Sequence, residues 1–327
     1  VDLATTGFSS YEQLKAHYTQ GSMDPVTVEG KVYGLPLELT NWCIFLNKKM
    51  FRAAGLDPDK DYPKTWEQMV SVAEKLSIRD GQVLRRRGFD FRSPYSLEFF
   101  APMANQLGGS VLSKDGKTAA VDSPAWVKLL QYMADWGPSG RNLGAPTYKN
   151  ARNTFNNDDN SVAMCISGLY QYDRIKAQNP AFLPEVSVVP YPRFQGAASD
   201  NGAAVYGHYY LVNASSAPAV QKAAWKLISW LTSRKNMERT QLAGSFMARK
   251  SAWEKPENNT KFTPEFIAVN KKSAEIGKPY DRPVMIKVQQ ARDVIGAVIQ
   301  VAIEGGDVEK AVREAQVQFQ ALLDSEK

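Results

Sequence analysis

The sequence is poor in cysteine and histidine, with two of each in 327 residues. Cys43, Cys165, His17 and His208 are far apart along the chain and have none of the spacings typical of a zinc site. A Ser-His or Cys-His catalytic system would need His17 or His208, and neither lies in a recognisable catalytic motif. Both cysteines lie in apolar, strand-like runs, which favours two buried thiols over a disulfide.

Several common functional signatures are also missing. The chain has no P-loop, no G-x-S-x-G elbow, no G-x-G-x-x-G after a predicted strand and no H-E-x-x-H. No apolar run approaches the roughly 18 residues that a membrane-spanning helix needs. We therefore predict no cofactor, no metal and no membrane span within these residues. A carbohydrate-cleaving enzyme that uses paired carboxylates stays open. Its candidate acids are Glu38, Glu98, Asp158 and Asp159.

What is present is ordinary for a globular protein. Hydrophobic residues make up 43% of the chain and charged residues 23%, and the net charge is +6. The triplet Arg85-Arg86-Arg87 has no interleaved aromatic residues, so we interpret it as a solvated basic loop and predict no nucleic-acid partner. A chain of 327 residues exceeds the size at which a single core keeps growing, which predicts two domains.

Predicted strands alternate with predicted helices, which indicates an α/β protein. Four helix starts carry N-cap residues, namely Ser9 or Ser10, the capping box Thr65–Gln68, Ser123 before Pro124, and Asp307. The apolar segment Pro218–Thr232 is predicted to be a helix, and we expect both of its tryptophans, at positions 225 and 230, to lie in the core. Further helices are predicted near 234–242 and 264–270.

The stretch Glu29–Phe51 shows an unusual order of elements. An aromatic-aliphatic run meets Pro36, a polar window spans Glu38–Asn41, and an apolar run Trp42–Leu46 follows. Pro36 restricts Leu35 to extended backbone, so the stretch predicts two extended segments joined by a polar crossover.

Six motifs in this order resemble the family 1 extracellular solute-binding proteins, the sugar-binding receptors of bacterial ABC importers. They are GKVYGLP from Gly30, NKKMF from Asn47, PKTWEQM from Pro63, AVDSPAW from Ala120, VAMCISGLY from Val162 and AAWKLISWLTS from Ala223.

The resemblance implies a type II periplasmic-binding-protein fold, with two α/β lobes and a ligand cleft at the hinge. By the pattern of that family, residues 1–37 and 204–253 form the first lobe, and residues 38–203 and 254–327 form the second. GKVYGLP follows a whole β-α-β-α region in the family, so we expect about 80–100 residues of the first lobe, roughly a small domain, to be missing here. The segments Val32–Leu35 and Ala203–Val212 are expected to join one sheet.

The resemblance also selects ligand-binding candidates. Sugars present apolar C–H faces and many hydroxyls, so their sites need aromatic platforms and planar polar side chains. Tyr170 stands where the family commonly has a stacking aromatic, often Trp, and the segment Pro283–Gln290 lacks an aromatic, which argues against a large oligosaccharide. The predicted ligand-binding residues are Glu38, Asn41, Trp42, Tyr95, Tyr170, Gly207 and His208.

The function implied is capture of a small carbohydrate or polyol and its delivery to ABC permease subunits by hinge closure. Such a protein is a non-enzyme, a monomer when complete, and resides in the periplasm or, with a lipid anchor, outside a Gram-positive cell. The alternatives are the carbohydrate-cleaving enzyme above and a receptor that feeds a sensor.

Overall fold

The fold is described from a computed structural model of the chain. The residues it describes are 1–19, 22–91, 95–144, 151–168, 170–199, 202, 205–236, 246–247, 249 and 287–326. The predicted helix near 264–270, and most of the one near 234–242, lie outside these ranges.

Helices and strands alternate along much of the chain, as predicted. The α-helices are α1 (Tyr11–Ala16), α2 (Lys48–Ala53), α3 (Trp66–Leu76), α4 (Ser96–Gln106), α5 (Pro124–Ala134), α6 (Ala151–Asn157), α7 (Gln171–Gln178), α8 (Pro218–Leu231), α9 (Val288–Ile303) and α10 (Val308–Asp324). The strands are β1 (Thr27–Val28), β2 (Lys31–Val32), β3 (Gly34–Asn47), β4 (Ile78–Asp80), β5 (Val83–Arg86), β6 (Met164–Gly168), β7 (Val186–Val189), β8 (Val205–Leu211) and β9 (Phe246–Met247).

The chain divides into two compact units. The first unit comprises Val1–Asn41, Gly168–Asp173 and Val205–Ala268, and the second comprises Trp42–Ser167, Arg174–Ala204 and Val269–Lys327. Strand β3 contributes its first eight residues, 34–41, to the first unit and its last six, 42–47, to the second. The lobe boundaries expected from the family stay a prediction.

In the first unit, β3 runs antiparallel to β8, with Gly34 opposite Leu211 and Leu35 opposite Tyr210. Gly34 and Leu35 therefore share a sheet with β8 as predicted, whereas Val32 pairs in the separate β1–β2 sheet. A register shift follows Pro36, which has no N–H to give to the ladder. Strand β9 pairs with β3 at Glu38 and Leu39. The core of this unit is a cluster of Leu14, Tyr18, Met23, Val26, Val32, Leu35, Trp225 and Ile228.

In the second unit, the last part of β3 lies between β6 and β7, with Ile44 opposite Val189. Helix α9 packs against α4, α5 and α10. Trp66 is fully buried and meets the rings of Phe99 and Tyr191 edge-on, with centroids 5.7 and 4.9 Å away. Its Nε1 donates to Gln106 Oε1 at 3.2 Å, so the indole N–H is satisfied inside the core.

Helix starts follow the predicted caps in three cases out of four. Ser10 Oγ accepts from Gln13 N at 3.1 Å at the start of α1. Thr65 Oγ1 accepts from Gln68 N at 3.1 Å, and Asp307 Oδ1 accepts from Lys310 N at 2.9 Å. Ser123 precedes α5 as predicted, but its hydroxyl makes no cap hydrogen bond to that helix. Pro124 at the first helical position has no N–H, so this helix start has one fewer unpaired N–H group.

Three expectations are wrong. The polar window at Glu38–Asn41 is not a separate crossover, because β3 runs through it and both β8 and β9 pair with it. The arginine triplet is not a solvated loop. Arg86 is buried and ends the hairpin β4–β5, where its Nε donates to Leu76 O at 2.7 Å. Trp230 lies on the exposed side of α8, with 59% of its surface accessible.

None of the helices in the described ranges has the length and apolar character that crossing a membrane requires.

Candidate functional site

A carboxylate and an imidazole face each other across the β3–β8 ladder of the first unit. Glu38 is opposite His208 in the register, and a Glu38 carboxylate oxygen pairs with His208 Nδ1. The Glu38 side chain is 10% exposed, whereas the His208 side chain is 75% exposed. The pair therefore presents the imidazole to solvent and anchors it on a nearly buried carboxylate.

The phenol of Tyr209 lies next in the strand and is affected by the same carboxylate. Burial raises the pKa of Tyr209 to about 12, and the negative charges of Asp24 and Glu38 act in the same direction. The hydroxyl therefore stays protonated at neutral pH and can donate a hydrogen bond.

Three other predicted site residues also belong to the first unit. Gly207 is half-buried and lies opposite Leu39 in the ladder. Asn41 lies opposite Val205, and its side chain is outside the described part. Tyr170 is half-buried in the turn directly before α7, within the segment Gly168–Asp173.

The remaining two predicted residues, Trp42 and Tyr95, are neighbours in the second unit. Their rings meet edge to face with centroids 6.0 Å apart, and Trp42 also lies 6.4 Å from the ring of Phe99. Tyr95 is half-buried at the N-cap position of α4, whereas Trp42 is 1% exposed. The structure thus gives Trp42 a packing role, and its role as a ligand platform stays a prediction.

Sequence reasoning missed Arg292, which connects this aromatic pair to a buried acid. The Arg292 guanidinium lies over the Tyr95 ring, 5.1 Å from its centroid, and its Nε donates to both carboxylate oxygens of Glu98 at 3.0 Å. The two partners are 194 residues apart, so no local pattern could have revealed the pair. The sequence indicates Glu98 only as a candidate catalytic acid.

The other candidate acids are engaged as well. Asp158 pairs with Lys49 and accepts from Asn47 Nδ2 at 2.7 Å, and Asp159 Oδ1 accepts from Ser161 N at 3.0 Å. Within the described ranges, no cluster of three or more His, Cys, Asp and Glu side chains could hold a metal ion.

Chemically, these groups suit a neutral, hydroxyl-rich ligand. In the first unit, Glu38 supplies a hydrogen-bond acceptor, His208 an exposed imidazole and Tyr170 a half-buried aromatic ring. The second unit, considered separately, supplies the half-buried ring of Tyr95. Each hydroxyl of a sugar or polyol can both donate and accept, and its C–H faces pack on aromatic rings.

Comparison with known proteins gives curated relatives named for different ligands, among them sugars, sn-glycerol-3-phosphate and amino acids, and two informative structures. The multiple sugar-binding protein of Streptococcus mutans is 25% identical over 244 residues, which is 72% of this chain and 54% of the relative. The chain spans about half the length of the curated relatives it matches.

The structural likeness extends over nearly the whole chain. A solute-binding protein from Thermotoga lettingae, bound with α-D-tagatose, has a TM-score of 0.78 and 24% identity, covering 98% of this chain and 79% of that one. A protein from Agrobacterium radiobacter in complex with ribitol has a TM-score of 0.74 and 25% identity, with coverage of 98% and 77%. The predicted fold class, that of the type II periplasmic-binding proteins, is confirmed.

The family itself is shown by a direct match. The sequence model of a protein family described as bacterial extracellular solute-binding protein matches residues 3–264 of this chain. Relatives and structural neighbours are named as binding proteins of transporters, which does not favour the carbohydrate-cleaving alternative. The chain belongs to the bacterial extracellular solute-binding proteins.

Proposed function

We propose that this protein captures a small carbohydrate or polyol outside the cytoplasm and delivers it to the permease subunits of an ABC importer. The observation that carries the proposal is the family match together with the ribitol-bound neighbour, which is 25% identical and covers 98% of the chain. The protein acts in the periplasm or, with a lipid anchor, at a Gram-positive cell surface. The complete protein acts as a monomer, and it binds its ligand without converting it.

Each unit, taken by itself, carries residues suited to binding a sugar or polyol. In the first unit, Glu38 and His208 hydrogen-bond ligand hydroxyls, with Asn41, Gly207 and the Tyr170 ring nearby in the same unit. In the second unit, the Tyr95 ring supported by Trp42 offers an apolar face. Aromatic residues paired with planar polar groups are the recognition chemistry that a neutral sugar requires.

Hinge closure is the proposed mechanism. A ligand that makes more contacts in one conformation than in another shifts the equilibrium toward the first by its differential binding free energy. The shifted population is the form that the permease recognises.

A thermal-shift screen followed by calorimetry tests the proposal. The panel contains ribitol, α-D-tagatose, maltose, trisaccharides and sugar phosphates, all at millimolar concentration. We expect one or more small sugars or polyols to raise the melting temperature and to bind with a stoichiometry of one. The ligand recovered after denaturation should be chemically unchanged.

Two results would overturn the proposal. The first is the absence of any thermal shift across the panel. The second is conversion of a bound sugar to products in proportion to time, which would indicate an enzyme.

A further inference from the structure

The ring of Tyr95 is held on one side by a positive charge. The guanidinium carbon of Arg292 lies over the ring, 5.1 Å from its centroid. A guanidinium at this distance is attracted by the negative face of the ring, and the attraction is stronger where water is excluded. The Arg292 side chain is 16% exposed, so most of its hydration has been replaced by protein contacts.

Arg292 is itself held in one orientation. Its Nε lies 3.0 Å from both carboxylate oxygens of Glu98, and its Nη2 contacts Glu98 Oε1 as well. Its Nη1 donates to Gln289 Oε1 at 3.2 Å. A fork of this kind fixes the plane of the guanidinium, not only its position. The hydrogen bonds that Arg292 donates to Glu98 raise the pKa of Arg292 further, so it remains charged at every physiological pH.

The same contacts hold the start of α4. Glu98 lies three residues after Tyr95, in the first turn of that helix, where a negative charge is favourable. Four residues after Arg292, Gly296 brings α9 close to α4, because a Cβ placed at Gly296 would lie 3.0 Å from Ser96 Oγ. The close approach of α9 to Ser96 therefore positions the first residue of α4, and Tyr95 directly precedes that residue.

We infer that Arg292, oriented by Glu98, is a positioning residue that fixes the Tyr95 ring as a wall of the ligand site. This inference rests on the proposed function, because it assigns the ring to ligand binding. With the guanidinium over one face, a sugar or polyol can stack only on the opposite face. The orientation of the ring is then set before the ligand arrives, which lowers the entropy that binding must overcome.

If this buried ion pair only stabilises the fold, the variants should behave differently from what our inference predicts. Removing either partner leaves a buried charge uncompensated and destabilises the fold without a specific effect on Tyr95. The informative variant is therefore Arg292→Lys. Lysine keeps the charge next to Glu98 but lacks the planar fork that stacks on the ring.

The experiment compares the wild type with Arg292→Lys, Glu98→Gln and a matched control, Arg141→Lys. Arg141 pairs with Glu74 on the surface of the same unit, with both side chains about half-exposed. The protein is labelled with 3-fluorotyrosine, and the Tyr95 signal is assigned in a Tyr95→Phe sample. Fluorine NMR then reports the order of the ring without any ligand, and calorimetry with ribitol, or α-D-tagatose if ribitol gives no heat, reports affinity.

We expect the Tyr95 signal of Arg292→Lys to broaden or split and affinity to fall on the order of fivefold, while thermal stability changes little. Glu98→Gln should give the same changes in the signal, and Arg141→Lys should match the wild type in both measurements. A sharp, unmoved Tyr95 signal in Arg292→Lys overturns the inference. A changed signal with unchanged affinity overturns it too.

The two proposals fail in distinguishable ways. If the wild type binds neither compound nor any other in the sugar panel, the proposed function falls. In that case the fluorine spectra still decide whether Arg292 orders the ring.

Discussion

Arg87 donates from Nη1 to Oδ2 of Asp90 at 2.8 Å, in the segment that follows the β4–β5 hairpin. The Asp90 side chain has no exposed surface, whereas that of Arg87 is 23% exposed. In the described part of the chain, no hydrogen bond reaches the other carboxylate oxygen, Oδ1. Burial raises the pKa of Asp90 to about 8, and the nearby charge and hydrogen bond of Arg87 offset only part of that rise.

The raised pKa of Asp90 predicts that stability falls as pH rises. An unfolded chain ionises this carboxyl near its ordinary value of 3.8, whereas the folded chain keeps its proton up to about pH 8. The folded state therefore binds more protons between these values, and the contribution of Asp90 to the free energy of unfolding is lost across that window. The slope is at most about 1.4 kcal/mol per pH unit.

Asp90→Asn removes this titration. Urea unfolding from pH 5 to 8 should show that Asp90→Asn gains stability relative to the wild type as pH rises. Asp80→Asn is the matched control, because Asp80 pairs with Arg85 at an exposed site and such pairs contribute only about 0–1 kcal/mol. A relative stability of Asp90→Asn that stays constant from pH 5 to 8 would show that the carboxyl is already charged in the folded state across this range.

Replacing Tyr170 by Ala should weaken sugar binding. The ring is half-buried at the turn before α7, and loss of an important aromatic contact reduces the binding free energy by about 1–3 kcal/mol. Calorimetry with the best compound of the panel measures the change. Tyr33→Ala is the control, since Tyr33 is a tyrosine of the same unit that is 52% exposed. Equal affinities for Tyr170→Ala and the wild type would remove Tyr170 from the site.

Trp42→Ala should act mainly on stability. The indole is 1% exposed and contacts the rings of Tyr95 and Phe99, so truncation leaves a cavity. Such truncations cost about 3–5 kcal/mol. Urea unfolding should therefore show a much lower midpoint for Trp42→Ala than for Tyr170→Ala. Near-wild-type stability together with lost sugar binding would instead support the platform role predicted from the sequence.

The parts of the fold that sequence patterns predicted are those governed by local chemistry. Thr65 and Asp307 cap helices because an N-cap oxygen and the N–H groups it serves lie within three residues. The pairing of β3 with β8 was expected from the family resemblance and not from the residues alone.

The parts that could not be predicted depend on distant partners. Arg86 is buried because Leu76 O and Asn160 Oδ1 accept its hydrogen bonds, and no charge pattern distinguishes it from its exposed neighbour Arg85. The Arg292–Glu98 pair spans 194 residues. The family resemblance indicated Tyr95 as a candidate, but only the three-dimensional structure shows what orients its ring.

The two cysteines should react as thiols only after unfolding. Cys43 on β3 and Cys165 on β6 belong to neighbouring strands, and both are buried, with at most 1% exposure. A thiol reagent needs access to the thiolate, which burial prevents. Titration without reductant should give no fast reaction in the native protein and two thiols in denaturant. A count of zero in denaturant would instead show that a disulfide joins the two strands.

Helix α8 has a second apolar face that its own unit does not cover. One face places Trp225 and Ile228 in the core of the first unit. Val220, Leu227 and Trp230 follow another side of the helix and are 56–59% exposed. Their spacing of seven and three residues puts them on one stripe. Contiguous exposed apolar surface promotes association between protein molecules.

Removing this stripe should therefore reduce self-association. We expect the double variant Leu227→Gln, Trp230→Gln to bind less hydrophobic dye and to show a smaller average mass by light scattering at high concentration. Both substituted side chains already face solvent, so stability should change by less than about 1 kcal/mol. Val317→Gln is the matched control, because Val317 on α10 is 70% exposed and lies apart from the stripe in the sequence. Its effect should be close to zero, since single exposed apolar residues are normal on protein surfaces. If the wild type is already monomeric at high concentration and binds no dye, the stripe is not a site of association and the prediction fails.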